Sequence, residues 1–359
     1  MLERIYKAVQ EKHETLDFQA LWPGFHSFPF ALYDGNRAYG RNGYFPQPEA
    51  FRGNTALNYH GEWTAVWKLA PAETPDIHVL SADLVHEMFH AFQMECGERR
   101  FPDDLAALAY PMDAGNLTAK LAENRALAAA FAAPSVSEKV WLLARFAGIR
   151  RTRGAALKEC FMFELLPETV EGMAEYIGAQ ALARLSPEAY TRRTAFFIEA
   201  LTRIAPALLD MRRQAYFSGA LLLLTAHAAG IDFAHGIATA VQPVYRLIED
   251  ALEMQPFSEY VLPDPDPALA HLAEEEAERR RACIAHIQAA ARVRAEGEFS
   301  ICGYDPMNMW RLGPWLYGKH FWKLREKGSG RTYTLTGPSL LRWEAGVVCA
   351  YCTDAEDYT

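Results

Sequence analysis

The stretch Leu84-Val85-His86-Glu87-Met88-Phe89-His90-Ala91-Phe92-Gln93 constrains this chain more than any other. Two histidines stand four residues apart, with a glutamate directly after the first. On a helix, positions four apart lie one above the other on the same face. His86 and His90 can therefore present two imidazole nitrogens to one metal ion. Glu87 points to a neighbouring strip, where it can act as general base toward a water that the ion activates. The flanking residues favour a helix. Ser81 is a candidate cap, and Asp83 suits the positive end of the dipole. Val85, Met88, Phe89 and Phe92 recur at helical period, an apolar stripe that would bury the helix and leave the histidines facing a cleft. Gly97 is a candidate stop.

A third ligand is expected elsewhere, and the segment Pro167-Glu168-Thr169-Val170-Glu171-Gly172-Met173-Ala174-Glu175-Tyr176 offers several carboxylates. Here the sequence resembles the gluzincins, the zinc metallopeptidases of the thermolysin and aminopeptidase N type. In that group the helix after His-Glu-x-x-His supplies a glutamate ligand. The aminopeptidase N branch carries it as Glu-Gly-x-Ala-x-Tyr, matched here at Glu171, Gly172, Ala174 and Tyr176. The resemblance implies one Zn²⁺ per chain, held by His86, His90 and Glu171, with an open fourth position. Glu175 lies one turn beyond Glu171. The thermolysin branch has an acidic residue at that offset, which orients a ligand histidine, so Glu175 is either that partner or a solvated helix charge. The gap from His90 to Glu171 is much longer than the family shows and must hold inserted helices. Glu164 and Glu168 are fallback ligands. Pro167 is expected to start or kink the helix between Glu164 and Glu171. Gly172 and Gly178 offer close approach to the His86 helix.

Two further segments extend the resemblance. Tyr216-Phe217-Ser218-Gly219-Ala220-Leu221 is similar to a Tyr-x-x-Gly-Ala-Leu helix of several gluzincins. It makes Tyr216 either the donor to the oxyanion formed when water attacks a peptide carbonyl, or a core aromatic. Tyr176 and His227 are alternatives for that role. Residues 54–59 and 62–68 read as strands joined at His60-Gly61. The thermolysin-type fold has a similar hairpin before its zinc helix. By that resemblance Asn54, Ala56 and Asn58 lie on an edge strand that binds an extended peptide; the alternative is an ordinary hairpin.

The rest of the chain is less specific. Leu2 to about Leu16 reads as an amphipathic helix, and His78 to Leu80 as a short strand leading into Ser81. Helical spacing recurs over 105–110, 117–131 and 136–146, and Pro187 begins an element reaching about Leu209. Residues 256–267 are proline-rich and read as a boundary. Ala268 to Ala295 reads as one charged helix, with Glu275–Arg279 and Glu276–Arg280 pairs on a solvated face. Beyond Phe299 the texture is that of a small β-containing appendage, with strands near 320–324 and 332–335 around the turn 327–330. The basic runs Arg150-Arg151-Thr152-Arg153 and Arg279-Arg280-Arg281 read as solvated helix faces. Six scattered cysteines, Cys349-x-x-Cys352 among them, read as ordinary thiols.

Half of the 359 residues are apolar, enough for a sizeable core, and the net charge of −9 argues against a nucleic-acid partner. The start lacks the apolar run of a signal peptide, and the most apolar stretch, 217–225, is too short to span a bilayer, so no membrane partner is expected and the chain reads as cytoplasmic. The expectation is therefore an α+β, zincin-like chain. It has a metallopeptidase domain over 1–255, with a sheet before residue 81 and a helical body over 81–255. A charged helix and a small β region follow over 256–359. The expected partner is a peptide or protein substrate. The rivals are a zinc-bearing binding protein without activity and a protease specific for one protein.

Overall fold

A computed structural model of the chain describes residues 1–70, 74–234, 237, 240–252, 260–344 and 346–353, and the backbone of 356–357. The fold is mixed α and β, with an N-terminal sheet, a helical body and a C-terminal sheet. Two compact units divide it. The first takes residues 1–102, 119–203 and 210–263, and the second takes 103–118, 204–209 and 264–359.

The first unit opens with helix α1, Leu2–His13, which buries Leu2, Ile5, Tyr6 and Val9 as their spacing requires. Five strands follow: β1 (Phe30–Tyr33), β2 (Arg37–Gly40), β3 (Gly43–Pro46), β4 (Thr55–Tyr59) and β5 (Glu62–Lys68). They form one sheet in the order β3-β2-β1-β5-β4, with β1 parallel to β5 and the other pairs antiparallel. The expected hairpin is β4–β5. His60 and Gly61 both take positive φ, +54° and +87°, which gives a turn whose twist suits the flanking strands. Asn58 Oδ1 accepts the Gly61 N–H and fixes that turn. β4 is the edge strand on that side of the sheet.

Helix α2, Ile77–Glu95, carries both histidines and starts earlier than expected. Asp76 is the cap: its Oδ1 accepts the N–H groups of His78 and Val79. Residues 78–80 are therefore helical, not a strand, and Ser81 lies inside the helix with its hydroxyl on the Ile77 carbonyl. A carboxylate at the N-cap satisfies two free N–H groups at once, and this decides the start. The end agrees with expectation. Gly97 has φ +76°, and the Glu98 N–H reaches the Gln93 carbonyl, the arrangement of a left-handed helix terminus. The stripe of Val85, Met88, Phe89 and Phe92 is buried, but so are residues on the other faces, and the helix is enclosed on most sides.

The body continues with α3 (Asp104–Ala107), α4 (Ala114–Ala132), α5 (Val136–Leu157), α6 (Met162–Leu185), α7 (Pro187–Thr202), α8 (Met211–Ala228) and α9 (Val244–Leu252). α6 is central to the first unit and packs against α2, α7, α8 and α9. It runs through Pro167 without starting or breaking there. Gly178 meets α2 closely, since a Cβ there would lie 3.1 Å from the Ala82 carbonyl oxygen. Gly172 serves a different partner than expected: a Cβ on it would lie 2.7 Å from the Cα of Gly219 on α8.

In the run at 150–153 Arg151 is exposed, as expected, but its two neighbouring arginines are not on a solvated face. Arg150 and Arg153 are fully buried, with Lys120, Glu123, Glu164 and Glu168 around them. Arg150 binds Glu168 through both Nη atoms at 2.7 and 2.6 Å and Glu123 through Nε at 2.8 Å. Arg153 binds Glu123 and Glu164, and Lys120 also binds Glu164, at 2.6 Å. Three cations thus balance three carboxylates. Such groups stay charged in an interior only when paired in this way. Arg150 also lies 4.7 Å from the ring centroids of both Phe146 and Tyr245.

The second unit holds α3, the helix α10 (Pro267–Ala290) and eight strands: β6 (Val293–Tyr304), β7 (Met309–Leu312), β8 (Trp315–Gly318), β9 (Phe321–Glu326), β10 (Thr332–Thr336), β11 (Ser339–Glu344), β12 (Val347–Thr353) and β13 (Glu356–Asp357). They form one antiparallel sheet with a core of its own around Phe299, Leu316, Trp322, Leu324, Leu341 and Val348. This is a larger body than the expected appendage. The charged helix ends at Ala290, not Ala295: an Ala-rich stretch conceals the change to the period-two burial of β6. Glu276 does pair with Arg280, but Glu275 pairs with His271 rather than Arg279. Part of the expected boundary, 256–259, lies outside the described residues. All six cysteines are free. Among the described residues, no helix is long and apolar enough to cross a membrane.

Candidate metal centre

The helical spacing of α2 and the packing of α6 against it bring His86, His90 and Glu171 to one point, with a ligand atom from each within 4.8 Å of the others. His86 Nε2 and His90 Nε2 are 3.1 Å apart. Glu171 Oε2 is 3.0 Å from His90 Nε2 and 3.9 Å from His86 Nε2. Ligands at 2.0–2.1 Å in tetrahedral directions stand roughly 3.3 Å from one another. The three separations bracket that value, so the residues fit a small divalent ion. Two imidazoles and one carboxylate are also a donor set that zinc accepts with one position to spare.

Neighbouring residues hold each ligand in place. Gln93 Nε2 donates to the Val170 carbonyl at 3.0 Å, which fixes the orientation of the amide. Its Oε1 then faces His90 Nδ1 at 2.8 Å and can only accept. Nδ1 of His90 therefore carries a proton, and Nε2 is the atom that faces the centre. Glu175 Oε2 lies 3.1 Å from His86 Nδ1, the expected partner for that histidine. The contact is an ion-pair approach rather than a well-directed hydrogen bond, since His86 Nδ1 lacks a partner of good hydrogen-bond geometry. Arg193, from α7, stands 3.7 Å from Glu175 and also binds Asp83 on α2. Arg212, at the start of α8, donates to Glu171 Oε1 at 2.9 Å.

The electrostatics follow from burial and these partners. Burial alone would lower the His86 imidazole, but Glu175, Glu87 and Glu171 outweigh it and raise the group to about 9. Burial would raise Glu171, but His90, Arg212 and His86 hold it at about 2. Glu87, buried beside both histidines, is raised, chiefly by loss of solvent. The pocket is thus rich in negative charge around two imidazoles, an environment that favours a cation in place of their protons.

The other expected residues are placed as follows. The Tyr216 ring stacks over His86 with centroids 6.1 Å apart, and its hydroxyl is in hydrogen-bonding reach of Glu171; burial and that carboxylate raise it. The two alternatives for its role, Tyr176 and His227, hold each other instead, the Tyr176 hydroxyl lying 2.6 Å from His227 Nδ1. Ala56 pairs with Ala65 on the β4 edge. Asn54 and Asn58 spend their side-chain oxygens on the hairpin itself, on Lys68 N–H and Gly61 N–H. The fallback ligands Glu164 and Glu168 belong to the buried ion network and are thereby set aside.

Three residues of the site were missed by sequence reasoning. Gln93 had a signal, three positions after His90 on the same helix face. Arg212 had one too, a turn before Tyr216. Arg193 had none in a single sequence. In comparison with known proteins, no family model matches the chain, and neither a curated protein nor a solved structure matches it.

Proposed function

We propose that the chain is a zinc-dependent peptidase of gluzincin type and zincin-like architecture. One observation carries the reading: His86, His90 and Glu171 converge at tetrahedral spacing with Glu87 beside them and Glu175 behind His86. A zinc ion held there supplies a Lewis acid that acidifies water and polarises a carbonyl. Glu87 takes the proton of the attacking water and passes it to the leaving amine. Its buried position makes it a stronger base than a solvated carboxylate. Tyr216 donates its hydroxyl to the oxyanion of the tetrahedral intermediate. Gln93 and Glu175 keep the imidazoles oriented. The free edge of β4, around Ala56, takes an extended peptide as an added strand.

The test is Glu87→Gln against wild type on a pool of quenched fluorescent peptides, with metal content measured on the same samples. The expected result is unchanged metal and a loss of hydrolysis of about 10²–10⁴-fold. Turnover retained by the variant removes Glu87 from the role, and metal-replete wild type that cleaves neither peptides nor proteins contradicts the peptidase reading.

A further inference from the structure

Glu171 is held by both of its oxygens, and the two face different partners. Oε2 faces the histidine nitrogens at 3.0 and 3.9 Å, whereas Oε1 receives an N–H from Arg212 Nη2 at 2.9 Å. A carboxylate can ligate through one oxygen or through both. With two imidazoles and a water already present, the second mode would add a fifth donor and crowd the position that a water or substrate needs. A guanidinium on Oε1 opposes this, because turning the carboxylate would break a charge-assisted hydrogen bond.

We propose that Arg212 is a positioning residue that keeps Glu171 a one-oxygen ligand and so keeps one position of the ion open. The inference rests on the metal reading above. Its geometry is built in by α8, whose first turn carries Arg212 to Glu171 while the next turn stacks Tyr216 over His86. Gly172, adjacent to Glu171, lies against Gly219 of the same helix, so the approach of α8 to the ligand is set by backbone contact. Arg212 keeps 19% of its side chain exposed, so its truncation opens no sealed core.

The experiment uses the full chain freed of metal and titrated with cobalt(II) alone, in wild type, Arg212→Met, Arg212→Ala and Arg212→Lys. The visible d–d band is read at saturation, and cobalt content is measured on the same samples. Four-coordinate, tetrahedral cobalt absorbs more strongly than five-coordinate cobalt because the tetrahedral field mixes more metal p character into the d orbitals. The Met and Ala variants are expected to lose about half or more of the band intensity per cobalt, as the coordination number rises. Arg212→Lys, which still offers an N–H to Oε1, should recover most of it. Equal spectra in wild type and in the Met and Ala variants, at equal cobalt content, overturn the role of Arg212 and leave the metal site standing. Wild type that retains no cobalt overturns the metal reading and this role together, and the cobalt content tells the two failures apart.

Discussion

At the scale of single residues, the candidate site is a set of three side chains able to bind a metal, whose orientation is decided one contact away. His90 is oriented by Gln93, which is itself fixed by the Val170 carbonyl, one residue before the ligand Glu171. The two ligand helices are thus tied together through an amide. Removal of such outer contacts typically lowers metal affinity about 10–100-fold. Gln93→Leu and Glu175→Gln are each expected to do so, measured by competition with a chromophoric chelator. Unchanged affinity in both would mean that the imidazoles are held by packing alone. Both residues were visible in the sequence, but only Glu175 matched a known pattern. Gln93 is a common residue on an apolar helix, and its role depends on a carbonyl from a helix some 80 positions away. Arg193 reaches the site through tertiary packing that no local pattern encodes, and Arg212, though a turn before Tyr216, meets Glu171 only because α8 packs on α6.

At the scale of elements, α6 carries Glu164, Glu168, Glu171 and Glu175 along one face, at steps of four, three and four residues. The first pair is neutralised by Lys120, Arg150 and Arg153, while the second pair faces the histidines of α2. One stripe of acid is thus divided between a structural ion network and the candidate site. Residue type alone does not reveal the division, which is why the basic run at 150–153 read as solvated. Loss of one partner leaves a buried charge uncompensated, so Arg153→Met should cost about 3–5 kcal/mol in a denaturant titration. A change near zero would show that the cluster rearranges freely. The contact of α6 with α8 makes a second prediction. Alanine is favoured over glycine in a helix by about 1 kcal/mol. At Gly219, however, the added Cβ would lie 2.7 Å from Gly172 Cα and 2.9 Å from the Glu168 carbonyl oxygen, both backbone atoms that cannot swing aside. Gly219→Ala is therefore expected to destabilise by about 1–3 kcal/mol, and a stabilised variant would contradict the close approach. Elements with strong local signals were legible: α1, the β4–β5 hairpin with its His60-Gly61 turn, and the end of α2 at Gly97. The start of α2 was misread because Ser81 and Asp76 are both good caps, and the choice between them is made by which side chain reaches two N–H groups.

At the scale of the whole molecule, the sequence showed a mixed α and β chain with the histidine helix after an N-terminal sheet, and missed the size of the C-terminal sheet. Its strands carry few long alternating runs, and pairing distant in sequence assembles them: β6 lies between β9 and β12. The buried ion network also sets a dependence on acid. Burial would raise the Glu123 carboxyl, but Arg150, Arg153 and Lys120 outweigh it and hold it at about 2, against 4.5 when unfolded. A group with a depressed folded value contributes stability that is complete above the unfolded value and is lost as pH falls through the folded one. The contribution of Glu123 is therefore lost progressively as pH falls from 4.5 toward 2. The urea midpoint should fall steeply below pH 4.5; no fall between pH 4.5 and 3 would mean that these carboxylates are not paired in solution. The claim on which the functional account stands is the three-ligand site. It is tested most directly by the metal content of untagged wild type and of Glu171→Ala after zinc loading and removal of the excess. About one zinc per chain in wild type and little in the variant is the predicted result; wild type without zinc would mean that His86 and His90 are structural and would contradict the account.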